Sequence, residues 1–137
     1  MKKMTTTERR RLRKLGKFLP TVIEPRFDMG KYISIAYCPP RLAKKMLSGC
    51  GTSACALGWA AYLFPTLSAK CSTYGYLAND LFGIHPMTRD WDFLFGAHWA
   101  ERDNSPEFAA RRINLYLEKG LPSKWRYGTA ESEWEWS

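Results

Sequence analysis

The longest apolar run of this sequence lies within CGTSACALGWAAYLFP, residues 50–65. Thr52 or Ser53 can cap a helix that starts here and continues to about Phe64, where the following proline ends it. Because this helix is apolar on nearly every face, it is predicted to be the buried centre of the fold. Gly58 costs about 1 kcal/mol relative to alanine inside a helix, which indicates close packing against another element.

Further helix signals flank this stretch on both sides. Caps, prolines and glycines predict helices over about 8–19, 41–47, 73–82, 88–95 and 106–119. Residues 21–36 instead carry β-forming side chains around a proline and a glycine, which is typical of a short hairpin or an extended loop.

The expected fold class is therefore mainly α, a compact small helical domain around a buried central helix, with a short β-hairpin or loop near residues 21–36. We distinguish three regions: a basic N-terminal helix over 1–19, a helical core domain over 20–122, and an acidic, Trp-rich tail over 123–137.

The formal net charge of +8 is concentrated at the N-terminus. Residues 1–17 hold eight basic residues and one acidic residue, whereas residues 18–137 hold 13 basic and 12 acidic residues. This distribution weakens any inference of nucleic-acid binding from the isoelectric point alone. The sequence has no run of eighteen apolar residues and no secretory signal pattern. We therefore expect a cytoplasmic protein without membrane contact, whose four cysteines stay reduced.

Three landmarks occur in a recognisable order. The first is Arg26-Phe27-Asp28-Met29 ahead of Tyr32, and the second is CGTSACALGWA over 50–60, which has the pattern C-G-T-x-x-C-x-x-G-W-A. The third is LFGI over 81–84, followed by Leu94-Phe95, Trp99 and a helix over 109–120.

On these residues the sequence resembles a widespread, uncharacterised family of small bacterial and bacteriophage proteins, over about residues 26–122. The resemblance implies a compact helical fold, a phage or mobile-element origin and a place in the cytoplasm of a bacterial host cell, with no established activity. Small proteins of this kind often act by binding a host protein, including host defence machinery.

Cys50 is the sharpest candidate for catalysis. It precedes a helix start, where the helix dipole lowers the pKa of a thiol and favours the nucleophilic thiolate. His85 or His98 could then serve as the base. The alternative, which we favour, is that Cys50 and Cys55 are small apolar residues packed at the start of a buried helix. The gaps between successive cysteines are 11, 4 and 15 residues, without a C-x-x-C pair, so no metal and no cofactor are expected.

Two regions carry side chains that are typical of macromolecular contacts. On the N-terminal helix these are Arg9, Arg10, Arg13, Lys14 and Lys17, which could meet phosphates or an acidic protein. In the tail they are Trp125, Trp134 and Trp136, because exposed tryptophans often anchor protein contacts. The tail could instead fold back over the domain.

The sequence thus favours a non-enzymatic, macromolecule-binding protein that engages, and in one version inhibits, a host or phage protein or a defence complex. One alternative is a small cysteine-dependent enzyme that uses Cys50. Another is an accessory protein that binds nucleic acid through residues 1–17. A homodimer through the same surfaces is a further option.

Overall fold

The computed structural model describes residues 3–33, 38–49, 52–126 and 130–136. In these ranges the chain forms seven α-helices, which are α1 (Thr6–Phe18), α2 (Ala43–Leu47), α3 (Ala56–Leu63), α4 (Pro65–Ser68), α5 (Tyr74–Phe82), α6 (Arg89–Phe95) and α7 (Pro106–Lys119). The predicted mainly α fold is confirmed, and the described residues contain isolated β-bridges but no sheet. Within the same ranges, no helix is both long and apolar enough to cross a bilayer.

Helix α3 is the buried centre of the fold, as its composition predicts. Its first six residues, Ala56 to Ala61, are all buried. The helix begins at Ala56 rather than just after Thr52 or Ser53, because the chain before it is extended and Cys55 occupies the N-cap position. The expected side-chain cap is absent from this helix start, since Cys55 makes no capping hydrogen bond.

A short backbone pairing takes the place of the hairpin considered for residues 21–36. Ala54 forms isolated bridges with Phe27 and Ile33, and its N–H donates to the carbonyl of Arg26 at 3.1 Å. The backbone around Ala54 therefore finds its hydrogen-bond partners in a distant segment, which delays the start of α3. Residues 34–36 of the proposed hairpin lie outside the described residues.

Gly58 allows this pairing to lie directly against α3. A Cβ atom at residue 58 would lie 2.0 Å from the carbonyl oxygen of Tyr32 and 2.7 Å from the Cβ of Ala54. Because the nearer of these atoms belongs to the backbone, no side chain fits there without moving the chain. The close packing expected from a glycine in this helix is confirmed.

Helix α1 belongs to the same core as α3. A reciprocal capping box between Thr5 and Glu8 starts the helix. Its apolar stripe is fully buried and consists of Leu12, Leu15 and, just past its end, Leu19. Gly16 faces α7, where a Cβ would lie 3.0 Å from Cγ2 of Ile113. One face of the basic helix is therefore packed against the domain, and only the other faces meet solvent.

Candidate binding surface

The basic residues of α1 fall into two groups, and the first is structural. Arg11 Nη1 donates to the carbonyls of Asp80 and Leu81, at 3.0 and 3.2 Å, in the last turn of α5. Arg9 Nη2 donates to the carbonyl of Leu117, at 2.7 Å, in the last turn of α7. Carbonyls in the last turn lack partners inside their own helix, and the negative end of the helix dipole favours a cation there. Arg9 is therefore better described as a structural residue than as the contact residue expected from the sequence.

The second group points to solvent. Arg10, Arg13, Lys14 and Lys17 are all exposed, and their spacing of three, four and seven residues puts them on one side of α1. We call these four residues the basic stripe. The ion pairs found between described residues are Arg102–Asp103, Arg111–Glu131 and Lys124–Glu135, so none of them involves the stripe. The stripe therefore has no carboxylate partner among the described residues, and its contact with another molecule stays a prediction.

A groove begins where the basic stripe ends. It has a volume of about 320 Å³ and is lined by Phe18, Thr21, Val22, Ile23, Arg26, Leu47, Trp59 and Tyr62. We call it the aromatic groove. Ile23 is 63% exposed, so it leaves apolar surface open to solvent at the groove. Sequence reasoning missed this groove because its walls come from four separate segments of the chain.

Two lysines lie over aromatic rings, and one of these rings, that of Tyr62, lines the aromatic groove. Lys14 of the stripe lies over the ring of Phe64, with Nζ 5.3 Å from the ring centroid. Lys44 of α2 lies over the ring of Tyr62 at 4.1 Å. The sequence also shows an excess of positive charge in the N-terminal part of the chain. Residues 1–50 hold 13 basic and three acidic residues, whereas residues 51–137 hold eight and ten.

The tail tryptophans lie against the domain's own core. Trp134 is only 8% exposed, and its ring centroid is 5.9 Å from that of Trp99. Trp125 stacks on the other side of this cluster, also 5.9 Å from Trp99, and Trp136 Nε1 donates to a carbonyl of the domain at 2.9 Å. The idea that these rings are exposed anchors is corrected: burial of their large apolar area folds the tail back. Contact between a partner and any of them stays a prediction.

The cysteines that the structure describes are unreactive in their surroundings. Cys38, Cys55 and Cys71 are all buried. Burial raises the pKa of Cys55 to about 11, and it also raises the pKa of Cys38 and of Cys71. These thiols are therefore neutral near pH 7 and poor nucleophiles. Cys50, the catalytic candidate, lies outside the described residues.

The two histidines occupy separate surface positions. His85 is exposed just after α5 and lines a pocket of about 240 Å³ together with Glu8, Asp90 and Tyr116. The Tyr116 hydroxyl donates to Asp90 Oδ2 at 2.7 Å, and burial together with this bond raises the pKa of Tyr116 above its ordinary value. His98 is exposed on the 3-10 helix that follows α6. No described cysteine lines the His85 pocket, so this part of the chain pairs neither a thiol nor His98 with that base.

The part of the chain that the structure describes contains no cluster of three or more His, Cys, Asp or Glu side chains arranged to hold a metal ion. Comparisons with protein-family models, with curated proteins and with solved structures find no match to this chain. The basic stripe and the aromatic groove are therefore the features of the described chain that bear on its function.

Proposed function

We propose that this protein is a non-enzymatic binding protein that engages an acidic surface of another protein through the basic stripe. The observation that supports this proposal most is that the basic residues of α1 have two different environments. Arg9 and Arg11 satisfy helix ends of the same chain, whereas Arg10, Arg13 and the two lysines of the stripe remain in solvent. Four like charges on one helix face repel one another, so they favour a partner of opposite charge.

The wider setting follows the family resemblance. A phage or mobile-element protein of this size would meet its partner in the cytoplasm of the bacterial host, and the partner would be a host protein, a defence complex or another phage protein. Binding to such a partner could inhibit it by covering its acidic surface. This setting extends the proposal, and the structural argument for the stripe does not depend on it.

Catalysis is less well supported by the same geometry. The buried thiols have raised pKa values, and the pocket beside His85 contains a tyrosine that stays protonated. A protonated phenol that donates to a carboxylate cannot act as a general base near pH 7. A cysteine-dependent reaction at Cys50 remains the alternative proposal, and faster alkylation of Cys50 than of Cys38 or Cys71 in the folded protein would favour it.

A capture experiment with matched variants tests the proposed function. The bait is the full chain, either unchanged, with the stripe reversed at two positions (Arg13→Glu with Lys17→Glu), or with two exposed lysines reversed elsewhere (Lys31→Glu with Lys70→Glu). Both double variants change the net charge equally, so a non-specific charge effect would appear in both. We expect a protein from the host cell to be recovered by the unchanged chain and the second variant, and to be lost with the stripe variant.

Nuclease treatment of the extract separates the two kinds of polyanionic partner. Recovery that survives nuclease and depends on the stripe supports a protein partner. If nuclease abolishes recovery, the stripe binds nucleic acid, and the nucleic-acid alternative replaces this proposal. Equal recovery by the stripe variant and the unchanged chain would remove the stripe from the binding surface altogether.

A further inference from the structure

We infer that the aromatic groove receives a bulky apolar side chain from an acidic peptide segment of the partner, while the carboxylates of that segment pair with the basic stripe. This inference rests on the proposed function and adds to it the chemistry of the bound segment. The stripe alone would attract any polyanion. The groove supplies what the stripe lacks, which is a reason to prefer one sequence over another.

The groove has the size and lining of a side-chain pocket. Its volume of about 320 Å³ lies near the lower end of the range of about 300–1,000 Å³ that is usual for ligand pockets, so it fits one or two side chains. Val22 and Leu47 are buried beneath it, and Ile23 stands exposed at its edge. A leucine or an aromatic ring placed between these residues would remove apolar surface from water on both sides of the contact.

The floor of the groove is held in place before any partner arrives. The Arg26 side chain donates to three carbonyls, those of Leu47, Gly49 and Thr52, at 2.6, 2.8 and 3.1 Å. Its guanidinium carbon also lies 5.1 Å from the centroid of the Trp59 ring. Trp59 Nε1 in turn donates to the Arg26 carbonyl at 3.0 Å. A groove whose walls are already fixed loses little conformational entropy on binding, which favours affinity.

Charge complementarity selects an acidic occupant. Lys44 lies over the ring of Tyr62, which lines the groove, and Lys17 directly precedes Phe18 of its wall in the sequence. The lining residues include a cation, Arg26, and no carboxylate, while Glu24 is the exposed acidic residue nearest in sequence to Ile23. Acidic residues of the bound segment would therefore meet Lys44 and the end of the stripe at Lys17, where basic residues would be repelled.

The same contacts disfavour a single-stranded nucleic acid in the groove. Base stacking needs an open ring face. Tyr62 has Lys44 over its ring and stacks on Phe18, with centroids 5.9 Å apart, and Trp59 has Arg26 over its ring. These cations cover part of the ring faces that a base would need for stacking, whereas an apolar side chain can contact the groove at its Ile23 edge.

Two synthetic peptides test the inference by fluorescence anisotropy against the full chain. The first is a labelled decapeptide of aspartates and glutamates with a central leucine–phenylalanine pair, and the second carries two alanines at the centre. We expect the anchored peptide to bind about tenfold more tightly than the alanine peptide. Ile23→Glu should remove this preference while leaving the alanine peptide unaffected or slightly weakened. The anchored peptide should also shift the indole N–H resonance of Trp59 in a nitrogen–proton spectrum.

Several results would overturn the inference. They are equal affinity for the two peptides, no binding of the anchored peptide at millimolar concentration, an unchanged preference in Ile23→Glu, and displacement of the anchored peptide from the groove by a thymidine decanucleotide. The stripe variant, Arg13→Glu with Lys17→Glu, keeps the two proposals apart. If it weakens both peptides equally but Ile23→Glu has no effect, the stripe stands and the groove fails. If the stripe variant binds the anchored peptide normally, the apolar anchor in the groove is supported, but the pairing of carboxylates with the stripe and the proposed function are both wrong.

Discussion

The two ends of the chain can be compared directly, because both carry side chains that are typical of binding sites. The N-terminal end keeps four cations of α1 in solvent, whereas the C-terminal end folds its tryptophans onto the domain. Trp134 packs with its ring centroid 5.2 Å from that of Phe93 and completes an aromatic cluster around Trp99. One end thus keeps four cations exposed to solvent, and the other packs its rings against the core.

The difference follows from the change in free energy when each kind of side chain leaves water. A lysine or arginine is well hydrated at the surface, and burying it unpaired is costly, so the charges of the stripe stay outside. A tryptophan gains by leaving water, and a polar tail does not prevent this when a nearby apolar surface can receive the ring. Both ends carry side chains that are typical of binding surfaces, but the free energy of burial favours exposure at one end and burial at the other.

The largest effect expected from this comparison concerns Trp134. Trp134→Ala should lower the free energy of unfolding by about 3–5 kcal/mol, because it removes a buried ring from a packed aromatic cluster and leaves a cavity. Urea denaturation followed by far-ultraviolet circular dichroism measures this loss. Tyr76→Ala is the matched control, since Tyr76 is an exposed aromatic residue, and its effect should stay within about 0.5 kcal/mol. A loss below about 1 kcal/mol for Trp134→Ala would mean that the tail is not part of the core.

A smaller difference in stability should distinguish Arg11 from Arg10 in α1. Arg11→Met should cost about 1 kcal/mol of unfolding free energy, because it leaves the carbonyls of Asp80 and Leu81 without the hydrogen bonds that the guanidinium donates. Arg10→Met, one residue earlier on the exposed side, should change stability by less than about 0.5 kcal/mol. The two substitutions have the same chemistry and nearly the same sequence position.

Thermal unfolding of both variants at low salt measures this difference in stability. If Arg10→Met and Arg11→Met are equally destabilising, the arginines do not separate into a structural group and a stripe. If both are neutral, the hydrogen bonds from Arg11 to the end of α5 contribute nothing, and Arg11 is as available to a partner as Arg10.

The helices of this protein could be predicted because their start and stop signals are local. Thr88, Ser105 and Thr73 accept hydrogen bonds from backbone N–H groups at the starts of α6, α7 and α5, as N-cap residues commonly do. Gly83 adopts the left-handed conformation, with φ of 69°, that a glycine after a helix favours. Such signals act over three or four residues, so one sequence is enough to find them.

The remaining features depend on contacts between distant segments. The start of α3 moved because Ala54 pairs with residues near 27 and 33, and nothing in the sequence around Ala54 indicates that partner. The aromatic groove joins α1, the 21–26 segment, α2 and α3 in the same way. The basic stripe was predictable as a charged face, but the loss of Arg9 to a structural role was not, because Leu117 lies more than 100 residues away in sequence.

The prediction with the smallest expected effect tests whether burial of the tryptophan rings is enough to hold the tail on the domain. The backbones of Lys124 and Glu135 exchange hydrogen bonds at 3.0 and 3.2 Å, and their side chains form an ion pair at 3.3 Å. Both side chains are mostly exposed, so water screens the pair, and Lys124→Met should cost less than about 0.5 kcal/mol. Urea denaturation at low and high salt would measure this cost, which should be equally small in both. A loss of stability near that of Trp134→Ala, or a loss that disappears at high salt, would contradict this prediction. The ion pair would then hold the tail on the domain, and charge would determine the behaviour of both ends of the chain.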